Sequence, residues 1–71
     1  MGFNMYKQID NIKNELEADG YKKDIPKDVF CKKMMVLYGM KKKTSINWFE
    51  NFLTVDFISI SNDGKICFKD D

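Results

Sequence analysis

The chain has 71 residues and a formal net charge of +1, from 12 Lys+Arg against 11 Asp+Glu, with no histidine. That length suffices for a single domain, and a chain this short buries only about 60% of its unfolded surface. A hydrophobic share of 44%, with six phenylalanines, three tyrosines and one tryptophan, still supplies a core and argues against disorder.

Residues 4–18 place Met5, Ile9, Ile12 and Leu16 at helical spacing, one apolar stripe. Lys7, Asp10, Lys13, Asn14, Glu15 and Glu17 cover the other side, and Gly20 supplies a stop. Residues 21–26 read as a connection, because the residue before a proline is pushed toward extended geometry. Pro26 suits the first position of a second helix over 26–38. There Phe30, Met34 and Leu37 repeat at i, i+4 and i+7, Val29, Val36 and Tyr38 widen the stripe, and Gly39 ends it.

After the turn 39–43, Thr44 or Ser45 is the expected N-cap of a third helix. Ile46, Phe49, Phe52 or Leu53, and Val55 or Phe57 mark its buried side, and the segment 54–57 leaves its end open. Ser45, Asn47, Trp48 and Asn51 form the opposite face, where Asn47 and Asn51 lie one above the other.

The last segment, FISISNDGKICF, is β-branched and alternates around a turn. A two-residue Asp63-Gly64 loop sets Ser61 opposite Ile66 and Ser59 opposite Phe68, apolar against polar. A three-residue loop, Asn62-Asp63-Gly64 with Gly64 left-handed, sets Ile60 opposite Ile66 and Ile58 opposite Phe68. The second register gives one consistent apolar face and is the expected one. An isolated hairpin is marginal, so this face must rest on the helices.

Several functions are disfavoured. Cys31 and Cys67 are the only cysteines, and without histidine they cannot complete a tetrahedral zinc site. Both are expected to be small buried hydrophobes. The Ser-His and Cys-His nucleophile pairs are missing, as is a Gly-rich phosphate loop, so no enzyme and no cofactor or metal is expected. No apolar run approaches the ~20 residues of a membrane helix. The start MGFNMYKQID lacks the order of a signal peptide, and Tyr6 replaces the Ser or Thr that myristoylation of Gly2 requires. A soluble, cytoplasmic protein without membrane contact is the expectation.

The small net charge conceals a polarised chain. Residues 22–43 hold eight lysines (22, 23, 27, 32, 33, 41, 42 and 43) against Asp24 and Asp28, a net of +6. The remainder holds four lysines and nine acids, a net of −5. In MKKKTSINWFENF, three of those lysines stand at the start of the third helix, where the helix dipole disfavours cations by about 0.3–1 kcal/mol each.

The order helix, helix, short turn, helix, hairpin resembles a small winged helix-turn-helix DNA-binding domain. The likeness covers residues 25–69 and is carried by VFCKKMMVLYGMKKKTSINWFENFLTVDFISISNDGKICF. An apolar helix there ends in Tyr38-Gly39; a basic turn with Thr or Ser, an amphipathic helix, a strand, an Asp-Gly turn and a second strand follow. The turn departs from the family's pattern in carrying lysine only, with no arginine.

The resemblance implies a mostly α chain with a C-terminal hairpin, three helices plus a wing. It also implies a second helix crossing the phosphate backbone and a third entering the major groove N-terminus first. Lys32, Lys33, Lys41, Lys42 and Lys43 would then meet phosphates, which offsets the unfavourable placement of the triplet. Thr44, Ser45, Asn47, Trp48 and Asn51 would face the duplex, Asn pairing with adenine and Trp48 packing on a sugar or thymine methyl. Lys65 would touch the backbone from the wing, with Glu50 and Asp63 opposing.

The expected function is therefore sequence-specific binding of double-stranded DNA without catalysis, as in a small repressor or an accessory factor of a plasmid, phage or transposon. One module of this size calls for a second copy, with the first helix as the candidate homodimer contact. Asp70 and Asp71 are left without a role. The alternative is a protein-interaction module, a phage or plasmid inhibitor or adaptor, in which Trp48, Phe49 and the methionines form the patch and the lysines steer an acidic protein.

Overall fold

The computed structural model describes residues 4–69; Gly2, Asp70 and Asp71 lie outside them. Asn4 accepts the Tyr6 N–H on its side-chain oxygen at 3.0 Å and opens a 3₁₀ turn, Met5–Gln8, which leads into α1, Ile9–Ala18. The first helix is thus tightened in its first turn, a frequent form at helix starts. Its stripe is set into the core as expected, with Met5, Ile12 and Leu16 buried and Ile9 half-buried. Gly20, at φ 94°, closes α1: its N–H reaches the Glu17 carbonyl at 2.9 Å and the Tyr21 N–H reaches Leu16 at 2.9 Å, the two bonds of a Schellman motif.

The connection ends in a two-residue strand, β1, Ile25–Pro26, which the sequence did not announce. α2 follows as Lys27–Tyr38. Pro26 is its N-cap in extended geometry (ψ 142°) rather than its first helical residue, because Pro26 is also paired with Lys65. Gly39, left-handed at φ 64°, ends α2 as anticipated.

α3 runs Lys42–Thr54 with Lys41 as N-cap, a residue that places no side-chain acceptor there. Thr44 and Ser45 are already inside the helix, three and four residues past the cap. At the far end Asp56 (φ 64°) takes the left-handed position, with its N–H on Leu53 at 3.1 Å and the Phe57 N–H on Phe52 at 3.0 Å. The contact that accompanies such a cap is present as stacked rings, Phe52 on Phe57 at 6.1 Å.

β2, Ile58–Ile60, and β3, Lys65–Phe68, form the hairpin in the three-residue register, with Ile58 opposite Phe68 and Ile60 opposite Ile66. Gly64 at φ 81° makes the turn, and the Ser61 N–H meets the Lys65 carbonyl at 2.8 Å. The Ser61 hydroxyl donates to the Asp63 carboxylate and holds its pKa below the usual range. That contribution is present above about pH 4 and is lost in acid, as Asp63 protonates.

The sheet order is β1-β3-β2, all antiparallel. Pro26, which has no N–H to give, sits in the edge strand β1. Three helices and a three-stranded sheet in this order make an α+β winged helix-turn-helix fold.

The core lies between the sheet and the helices: Met5, Ile12, Leu16, Ile25, Phe30, Met34, Phe49, Phe52, Ile58 and Ile66 are buried. Rings organise it. Phe52 lies 6.1 Å from Tyr6, 6.4 Å from Phe30 and 5.9 Å from Trp48, and Phe30 lies 5.9 Å from Phe68. Val36, expected on the α2 stripe, is instead 69% exposed, because α2 buries the arc through Phe30, Cys31 and Met34. Phe52→Ala is expected to cost about 3–5 kcal/mol, much of the stability of so small a domain, seen as a collapse of the urea midpoint.

Candidate nucleic-acid interface

Two constraints fix the direction in which α3 faces. Its Phe49 and Phe52 are buried against α2 and the sheet, and its N-terminus is held close to α2 by the short turn after Gly39. At about 100° per residue, the arc opposite Phe49 is then Lys43, Thr44, Asn47, Asn51 and Thr54. All five are exposed or half-buried at the surface, none of them in the core. Lys43, Asn47 and Asn51 form a row four residues apart, two amides in line with a cation at the amino end. Glu50 lies on one margin of this arc and Trp48 on the other.

Lys41, Lys42 and Lys43 are exposed at the N-terminus of α3, whose first turn contains no acid and whose cap makes no side-chain hydrogen bond. The first N–H groups and the positive end of the helix dipole point the same way as the lysines. Such a terminus is suited to an anion, since oxygens of a phosphate can take the N–H groups that no side chain takes here.

Three expected contributors stand elsewhere. Ser45 is fully buried, and its hydroxyl donates to the Lys42 carbonyl at 2.7 Å. It lies on the same arc as Phe49 and cannot share the exposed face; its satisfied hydroxyl makes burial of a polar residue inexpensive. Trp48 packs edge-on to Tyr6 with ring centroids 5.2 Å apart, so only its rim borders the exposed arc. Lys33 pairs with Asp19 across to α1 and is turned away from the basic corner. Lys32 is exposed on α2. Lys65 is half-buried where β3 begins, paired with Pro26, and so stands beside the start of α2.

Lys27, not among the expected contributors, stands at the start of α2 with its ammonium 5.0 Å from the centre of the Phe49 ring. It joins the N-termini of α2 and α3 into one basic corner. Its place at the first position after Pro26 was the available signal. The α1 stripe, by contrast, is used by the chain's own core, leaving Asp10, Asn11, Asn14 and Glu15 outward. A second copy meeting α1 would meet those polar groups rather than the stripe.

Cys31 is buried where α2 faces α3; burial pushes its thiol pKa up, opposed in part by a hydrogen bond with Ser45 and by the charges of Lys27 and Lys42. Cys67 is half-buried on the outer face of the sheet, its sulfur 3.9 Å from an Asp24 carboxylate oxygen, which corrects the expectation of two buried thiols. Both are free. Among the described residues no His, Cys, Asp or Glu cluster is placed to hold a metal, and no helix is long and apolar enough to cross a membrane.

No protein-family model, curated protein or solved structure matches the chain.

The buried thiol offers a check on this packing. Iodoacetamide at pH 8 is expected to modify Cys67 well before Cys31, and Cys31 to react only once urea opens the α2–α3 packing. Because a raised thiol pKa favours the protonated folded form, stability should fall as pH rises above about 8.5. Equal labelling of the two cysteines in the native protein would contradict the burial of Cys31.

Proposed function

We propose that the chain is a non-enzymatic, sequence-specific binder of double-stranded DNA, with α3 in the major groove and the basic corner on phosphates. One observation carries this: an outward row of Lys43, Asn47 and Asn51 on a helix anchored by the aromatic core, opening at an acid-free helix start bearing three lysines. Asn amides match the N7 acceptor and N6 donor of adenine, and Thr44 and Thr54 suit either groove-edge donors or thymine methyls. Lys27, Lys41 and Lys42 would straddle the phosphates at the groove edge, with Lys32 behind them.

Phosphate binding would also explain why the helix tolerates three lysines at its start. Each cation costs the free helix a few tenths of a kcal/mol at its positive end, a cost reversed when polyphosphate arrives and counterions leave. Occupancy of a site is then the biological action, as in a small repressor or an accessory factor of a mobile element. A module this small gains useful affinity through repeated half-sites or a second copy. Such a copy would have to dock on a surface other than the buried α1 stripe.

Two measurements test the proposal. Replacing Lys41, Lys42 and Lys43 together by alanine should weaken binding to every duplex and flatten the log–log salt slope by about 0.9 for every phosphate no longer neutralised. An unchanged slope removes them from the interface. Asn47→Ala or Asn51→Ala should cost about 1–3 kcal/mol on a duplex selected from a random pool and little on unselected DNA. Equal losses on both would assign the amides to the backbone.

A further inference from the structure

Between α2 and α3, on the side of α3 away from its amide row, lies an open groove of about 700 Å³. Its floor is Cys31, Met35 and Ile46, and its rim is Lys27, Lys32 and Lys42, with Asp28 beside them. The three lysines are exposed, while Met35 and Ile46 are half-buried, apolar surface that the fold leaves uncovered. Asp28 belongs to the first turn of α2, where its charge answers the positive helix end.

We propose that this groove binds an acidic peptide segment of a partner protein, with one apolar side chain seated on Met35 and Ile46 and flanking carboxylates on Lys27, Lys32 and Lys42. Complementarity decides the occupant. Three lysines against one carboxylate, Asp28, leave the groove net positive beside an apolar floor, which fits a ligand that joins an apolar side chain to carboxylates. A phosphodiester backbone satisfies the rim and leaves the floor unused. A stacked base needs an open aromatic face, and the nearby Phe49 ring is buried and faced by the Lys27 ammonium. Methionine on the floor suits a peptide anchor of variable shape, since its unbranched side chain repacks readily. The patch of Trp48 with Phe49 that the sequence suggested for a protein partner does not form, because Trp48 turns to Tyr6 and Phe49 into the core.

The probe is a short synthetic peptide in which a Leu-Phe pair is flanked on both sides by glutamates, titrated into the isotope-labelled chain. The methyl resonances of Met35 and Ile46 should shift, and binding should weaken about tenfold when Leu-Phe is replaced by Ser-Ser or when the protein carries M35E. K32E, on the exposed rim, gives the same loss through charge and needs no repacking of the floor. Equal binding of the Ser-Ser peptide, shifts confined to residues outside the groove, or no binding would each overturn the proposal. So would a duplex DNA titration in which the Met35 and Ile46 methyls respond more strongly than Asn47 and Asn51. Lys27, Lys32 and Lys42 serve both proposals, so duplex and peptide should compete. Their reporters differ: Asn47 and Asn51 on one side of α3 respond to duplex, and Met35 and Ile46 in the groove respond to peptide.

Discussion

Phe52 is the point on which the rest of the molecule turns. Its ring meets Tyr6 from the N-terminal turn, Phe30 from α2, Trp48 one turn back on α3, and Phe57 beyond the helix end. Edge-to-face and stacked pairs of this kind add about 0.5–1.5 kcal/mol each beyond their buried area, and they constrain angle as well as distance. Such pairs on one side of α3 leave it little freedom to roll about its axis. The orientation of Asn47 and Asn51 is therefore a property of the core. A modest rotation of α3 would turn Asn47 and Asn51 out of their outward row, and that rotation would have to break the aromatic cluster.

Electrostatics acts on the same element from outside. A core this small has little stability in reserve, yet α3 starts on three lysines, without an acid in its first turn or a capping side chain. Helix starts ordinarily attract Ser, Thr, Asp or Asn, and forgoing a cap sacrifices on the order of 1 kcal/mol. The lysine-rich start makes physical sense if an anion completes it. The acidic remainder of the chain keeps the net charge near neutral, but its Asp19 pairs with Lys33, away from the start of α3. The lysines of the basic corner stay exposed in the folded molecule.

Periodicity was sufficient where one face of an element is uniformly apolar. The α1 stripe and the hairpin register with Gly64 at its turn follow from it, since the alternative register sets serines opposite Ile66 and Phe68. Ile58 and Ile66 are buried, while Ile60 at the strand end stays 46% exposed. The elements that were not legible are those decided by tertiary pairing. β1 is two residues long and exists because Ile25 and Pro26 meet Ile66 and Lys65, a strand far along the chain that no local pattern specifies. The start of α3 is hidden in the sequence because Lys41, its N-cap, has no capping chemistry, whereas Thr44 and Ser45, inside the helix, do. Ser45 is polar by type, yet it is buried, because its own helix supplies the acceptor its hydroxyl needs. Helical spacing alone places Trp48 on the outer face, and only the fold brings it Tyr6 as a partner from the other end of the chain. Among the candidate site residues, those on the free arc of α3 were readable from spacing alone, whereas the contribution of Lys27 depended on where α2 begins.

The strand order carries a consequence for how the molecule comes into being. β3 is the last of the three strands to be synthesised, yet it occupies the middle of the sheet. Until it emerges, β1 and β2 have no neighbour to pair with, and Ile25 and Ile60 lack the Ile66 that stands opposite both. The helices can collapse early on the ribosome, but the sheet cannot close behind them. A nascent chain arrested after β2 and before β3 would thus expose bare strand edges to chaperones or to other chains. Folding of this domain is tied to completion of its final hairpin.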